Sequence, residues 1–124
     1  MHWTPVLITV AIVTVFILLK KSGEISTAAA HAHLKNGALI IDVRSSGEFN
    51  SSHLPEAINI PLDEIEITLP RRVMDKNQVL LLHCLSGTRS GIAKSKFKRL
   101  GYVNVFNLGS LGRARKISNK AKRN

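Results

Sequence analysis

The sequence predicts an α/β fold: a mostly parallel sheet with helices over both faces. Two observations carry that reading. Short, uninterrupted apolar runs recur along the chain, as expected of strands buried on both sides. The stretches between them hold apolar residues at spacings of three and four, as expected of amphipathic helices. At 124 residues the chain has room for one such domain and a short appendage.

The first element is the charge-free stretch from Trp3 to Leu19, which ends at Lys20 and Lys21. At 1.5 Å per residue it would span roughly 25 Å, and snorkelling lysines at one end with Trp3 at the other would cover the rest of a hydrocarbon core. Residues 3–19 therefore read as a single transmembrane anchor and residues 20–25 as its tether. A secretory signal peptide is the rival reading, and "STAAAHAHL" offers small-residue cleavage sites. Such a peptide carries its basic residues ahead of the apolar run, whereas here both follow it. The positive-inside rule then places the domain behind Lys20 and Lys21 in the cytoplasm, making this a single-pass membrane protein.

The domain proper is expected over residues 26–116. Ser26 or Thr27 starts a helix that Gly37 stops. Ala38 to Asp42 is a buried strand, and Ala57 to Ile60, between two prolines, is another. Leu62, Ile65 and Leu69 mark a helix. Gln78 to His83 is the strongest strand signal and Val103 to Leu108 is the last. Between these two, a helix from about Ser90 to Gly101 sets Ala93, Phe97 and Leu100 on one face and Lys94, Lys98 and Arg99 on the other.

Charge is divided along the chain. The net charge is +10, and all eight acidic residues lie between Glu24 and Asp75. From Thr88 onward every charged residue is basic, ending in a basic tail over residues 117–124. With an anchor in place, the partner this surface fits is anionic membrane lipid, and a merely solvated, fraying tail is an equal reading. Nucleic acid is disfavoured because the segment is poor in aromatics. His31 and His33, two apart on a helix, face different ways and make a poor metal pair, so neither metal nor cofactor is expected.

The chain has one cysteine, which excludes an internal disulfide. Cys84 follows the strongest strand directly, in "HCLSGTRSG". Ligands of open parallel sheets bind beyond the carboxyl ends of the strands, where loops enter helices. The backbone N–H groups of Leu85, Ser86, Gly87, Thr88, Arg89 and Ser90 are then free to form an anion-binding nest, with Gly87 allowing the tight curve. The positive end of the following helix and the charge of Arg89 favour thiolate over thiol. Such a thiolate suits attack on a sulfur or phosphorus atom that carries anionic oxygens.

Two segments, "IIDVRSSGEFNSSHLPEAINIPLDEI" and "LLLHCLSGTRSGIAKSKFKRLGYVNVFNL", together resemble a single-domain rhodanese. The resemblance implies a five-stranded parallel sheet flanked by helices, with Cys84 as the persulfide carrier. It also implies a small anionic sulfur donor such as thiosulfate and a thiol, cyanide or protein as sulfur acceptor. Asp42 and Arg44 match the family's Asp-Val-Arg motif and are expected as structural support, Asp42 orienting the loop or pairing with an arginine and Arg44 pairing with Glu48. His53 matches a packing histidine, and His83 points away from Cys84 by strand alternation.

Phosphatases of similar fold place five residues between cysteine and arginine, whereas Cys84 and Arg89 enclose four, a smaller space suited to sulfur. This chain departs from the family at "GSLG" (Gly109 to Gly112), at Ser52, at Glu56 and near Arg115, all of which bear on the pocket entrance. The alternative reading is a tethered sulfur-relay or binding module without small-molecule turnover.

Overall fold

The computed structural model describes residues 2–123. In chain order its elements are α1 (Thr4–Ser22), α2 (Thr27–Lys35), β1 (Leu39–Asp42), α3 (Ser46–Ser51) and β2 (Ala57–Asn59). A 3-10 turn (Leu62–Glu64) follows, then α4 (Ile65–Arg72), β3 (Leu80–His83), α5 (Thr88–Arg99), β4 (Val105–Gly109) and α6 (Leu111–Arg123).

The four strands form one parallel sheet in the order β2-β1-β3-β4. All four residues of β3, the central strand, are buried, which is why its sequence is continuously apolar rather than alternating. Alternation sorts its side chains between two layers. Leu80 and Leu82 join Ile41, Val43 and Cys84 against Ile65, Leu69, Phe97 and Tyr102, on the side of α4 and α5. Leu81 joins Ile40 and Leu108 against Ala30, Ala114 and Ile117, on the side of α2 and α6. Each fully buried Leu, Ile or Phe contributes about 1.5–3 kcal/mol.

The resemblance implied five strands, but the described residues form four. At the outer edge of β4 the fifth is reduced to one parallel bridge, Glu24 to Asn107, supported by the Ile25 N–H donating to the Asn107 carbonyl at 2.9 Å. The cause is local. The Ser26 side chain accepts from the Ala29 N–H and caps α2, so the chain turns helical before a strand can lengthen.

The membrane reading is overturned: among the described residues no helix is long and apolar enough to cross a membrane. Within α1 the charge-free part, Thr4 to Leu19, covers about 24 Å against a hydrocarbon core of about 30 Å, and Lys20 and Lys21 sit inside its last turn. The single-pass location and the cytoplasmic placement fall with it. The lipid role assigned to the basic surface loses its basis as well.

Two helices had no counterpart in the sequence reading. The six-residue α3 is held by a capping box, in which the Ser45 hydroxyl accepts from the Glu48 N–H and the Glu48 carboxylate accepts from the Ser45 N–H. α6 runs unbroken past residue 116 and buries Ala114, Ile117 and Ser118 on the sheet, while the Ser118 hydroxyl donates to Glu56 at 3.1 Å.

At the carboxyl end of β1 the wholly buried Asp42 carboxylate accepts from the Arg44 backbone N–H at 2.9 Å and from its Nη2 at 2.8 Å. Arg44 also donates to the Ser52 carbonyl at 2.7 Å, fixing the chain after α3. Removing one member of such a pair strands the other in the interior. Arg44→Met is expected to cost about 3–5 kcal/mol in urea unfolding, and the double variant Asp42→Leu/Arg44→Met is expected to recover most of that.

Candidate active site

The loop from Cys84 to Ser90 is fixed by the strand beside it. The Cys84 N–H donates to the Gly109 carbonyl at 3.2 Å, and the Leu111 N–H donates to the Leu85 carbonyl at 3.2 Å. Ser86 bridges antiparallel to Ser110. The loop thus lies along the junction of β4 and α6 with Cys84 fully buried at its base, while Leu85, Ser86 and Thr88 are exposed.

Gly87 turns the chain into α5 with φ of 98°, a conformation that favours glycine. A Cβ there would also stand 3.2 Å from Glu24 Oε1 and 3.4 Å from Gly109 Cα. The turn aims the Gly87 N–H back at Cys84 Sγ, 3.0 Å away. Because α5 begins at Thr88, two residues earlier than the sequence suggested, its first free N–H groups lie within the loop.

Ser90, also buried, places Oγ 3.6 Å from Cys84 Sγ, 3.1 Å from the Gly87 carbonyl and 2.7 Å from Asn107 Oδ1. Its single hydrogen can serve only one of these at a time. Asn107 Oδ1 also accepts from the Gly109 N–H at 2.9 Å, and its Nδ2 donates to the Gly87 carbonyl at 3.2 Å. Asn107 therefore clamps the loop to β4. The sequence reading missed it, although a lone polar side chain inside a buried apolar strand was a usable signal.

Burial pushes the Cys84 thiol up. The Ser90 hydroxyl and N–H and the Gly87 and Ser86 N–H groups outweigh it, and the net pKa is lowered. At neutral pH this raises the fraction of thiolate, the nucleophilic form.

The expected pairing of Arg44 with Glu48 does not occur. Arg44 is bound to Asp42, and Glu48 takes Arg89 in a two-pronged contact of 2.6 and 3.0 Å. The Arg89 hydrogen bonds, helped by Ser45, hold the Glu48 carboxyl down at about 2. Arg89 thus ties the start of α5 to α3, and its charge is compensated there. The donors left to face the sulfur are uncharged N–H and O–H groups. Glu48 was expected only as the partner of Arg44, and its contact with Arg89 was not foreseen.

His83 sits on the sheet face opposite Cys84. It is wholly buried, with Nδ1 3.2 Å from the Cys84 carbonyl and Nε2 3.8 Å from Asp42 Oδ2, where Nε2 has no hydrogen-bond partner. Burial lowers its pKa, Asp42 opposes that, and Arg44 and Arg115 reinforce it. His53 stacks on Phe49 with ring centroids 3.7 Å apart, away from the loop's hydrogen bonds. Among the described residues no group of three or more His, Cys, Asp or Glu side chains is placed to hold a metal ion.

Comparison with known proteins adds a family. The rhodanese-like domain pattern matches residues 26–111. Thiosulfate sulfurtransferase PspE of Escherichia coli (strain K12) is 39% identical over 71 residues, covering 57% of this chain and 68% of PspE. The putative sulfur carrier protein YrkF of Bacillus subtilis (strain 168) is 33% identical over 69 residues, covering 56% of this chain and 36% of YrkF. Among solved structures, a rhodanese with anions from E. coli aligns with a TM-score of 0.59 at 36% identity, over 62% of this chain and 91% of that one. A human single-domain sulfurtransferase aligns at 0.61 and 25% identity, over 79% and 96%.

Two measurements test this geometry. Ser90→Ala is expected to raise the Cys84 thiol pKa and to slow its alkylation by iodoacetamide at neutral pH about threefold to tenfold, read by mass spectrometry. His83 is held neutral in the fold but regains its ordinary pKa of about 6.5 when unfolded, so the unfolded chain binds the extra proton. Its contribution is fully present above about pH 6.5 and is lost as pH falls from there through the lowered folded pKa. Urea midpoints should therefore decline between about pH 7 and about pH 5.5, above the range where Glu56 and Glu66 titrate, and His83→Gln should flatten the decline.

Proposed function

The chain belongs to the rhodanese-like domain family, and from that premise we propose that it is a sulfurtransferase working through a persulfide on Cys84. The Cys84 thiolate attacks the outer sulfur of thiosulfate or a related anionic donor. The donor's S–S bond breaks, sulfite leaves with its electron pair, and the outer sulfur stays on Cys84 as a persulfide anion. In the second half-reaction cyanide or a thiolate attacks the terminal sulfur, and Cys84 leaves as thiolate. No external oxidant or reductant enters either step.

The observation that carries this reading is the Gly87 N–H, 3.0 Å from Cys84 Sγ in a loop whose other donors converge on the same atom. A hydrogen bond to a charged group is worth about 1.5–3 kcal/mol, and donors fixed before the reaction need no reorganisation when charge moves. The remaining N–H groups between Leu85 and Ser90 receive the donor's anionic oxygens in this proposal, with the Ser86 and Thr88 hydroxyls at the rim. The shared family with PspE supports a thiosulfate-type donor, and the likeness to YrkF supports a carrier role.

Intact mass of the full chain after incubation with thiosulfate is the test. A gain of about 32 Da, reversed by a thiol reductant and absent in Cys84→Ser, is expected. No gain with thiosulfate, inorganic polysulfide or a cysteine persulfide would overturn the proposal.

A further inference from the structure

One face of α5 begins at the cysteine loop and carries charge that the fold leaves uncompensated. Thr88, Gly91, Lys94, Ser95 and Lys98, at spacings of three and four, line one cleft of about 710 Å³ together with Gly87. From Thr88 to Lys98 the stripe runs about 15 Å along the helix.

The basic residues of α5 divide between two sides. Lys96 pairs with Glu66 at 3.4 Å, and Arg99 lies close enough to lower the Glu66 pKa. On the cleft side, Lys94 and Lys98 make no ion pair among the described residues. Burial lowers the Lys94 pKa, and the Lys98 charge one turn away lowers it further. Two like charges held a turn apart without a counterion favour an arriving anion.

Apolar surface accompanies them. Leu85 is 57% exposed at the loop rim, Ile92 is 49% exposed beside the lysines, and Phe16 lines the cleft. A groove of this length exceeds what thiosulfate or cyanide would occupy. Its mixture of aliphatic surface and two free ammonium groups fits a peptide segment better than a phosphate backbone, which is met by longer cationic tracks.

We propose that this groove docks an acidic segment of a protein sulfur acceptor, whose carboxylates meet Lys94 and Lys98 while its cysteine reaches the Cys84 persulfide. The proposal rests on the persulfide reading and names its acceptor class. In the transfer the acceptor thiolate bonds to the terminal sulfur, the S–S bond to Cys84 breaks, and Cys84 leaves as thiolate. The acceptor's proton is lost to solvent when its thiolate forms, before the attack, and the acceptor becomes the persulfide anion.

The probes are capped peptides with one cysteine flanked by glutamates or, in the reference peptide, by glutamines. Each is mixed with the persulfide-loaded full chain, and loss of the added sulfur is followed by mass. The glutamate peptide is expected to react about tenfold faster than the glutamine peptide at low salt, with the ratio shrinking as salt rises. In Lys94→Gln/Lys98→Gln the ratio is expected to approach one. Equal rates for the two peptides, or a preference that survives in the double variant, would overturn the docking.

A second measurement is independent of persulfide chemistry. A labelled glutamate peptide with serine in place of cysteine is titrated against the Cys84→Ser chain, alongside a single-stranded RNA oligonucleotide of equal charge. Salt-sensitive peptide binding that the two lysine substitutions abolish supports the docking, even if sulfur loading fails and the proposed function with it. Tighter lysine-dependent binding of the RNA, or no peptide binding, would overturn it.

Discussion

A sulfur anion taken out of water must be met by hydrogen-bond donors, and much of the polar structure at the carboxyl edge of the sheet answers that demand. Cys84 has no exposed surface, yet its thiol is shifted toward the thiolate. The shift depends on the Gly87 and Ser86 N–H groups and on both donors of Ser90. The loop that carries them is held by the Asn107 side chain, which engages Gly87 and Gly109 and competes with Cys84 for the Ser90 hydroxyl hydrogen. Buried polar networks of this kind are useful only when every member is satisfied. Here the outermost strand supplies the final partner.

The hydrogen bonds to the sulfur come from neutral groups, although Arg89 stays within reach of the Cys84 charge. Arg89, the cation nearest in sequence, is committed to Glu48, and Arg44 to Asp42. Neutral donors bind a thiolate less tightly than a bare guanidinium would. They also discriminate less sharply between positions of the negative charge near the loop.

The strands and the loop could be read from the chain because burial on both faces leaves continuous apolar runs, and because a glycine turn between strand and helix has few alternatives. The remainder could not, for identifiable reasons. Residues 113–123 hold six lysines and arginines, so charge masks the three- and four-residue spacing of Ala114, Ile117 and Ser118 that seats α6. The stretch from Thr4 to Leu19 has the composition of an anchor, and only the length of its charge-free helix speaks against one. The partners of Arg44 and Glu48 are set by how α3 turns after Ser45, a matter of a few dihedral angles. The missing fifth strand reflects a helix cap at Ser26 that competes with extension at Glu24 and Ile25.

That short bridge has a wider consequence for where the domain begins. The Glu24 carboxylate lies so close to Gly109 that a Cβ there would come within 2.9 Å of it, and it approaches Gly87 almost as closely. Arg113 of α6 reaches the same point, lying 3.7 Å from Glu24 and donating to the carbonyls of Leu108 and Ile25. Glu24, Ile25 and Arg113 all fall outside the stretch from 26 to 111 that is recognisable as the family's own. The stretch that the family pattern matches is therefore shorter than the unit that holds this loop in shape. A border drawn at residues 26 and 111 would cut through the contacts that back the Cys84 loop.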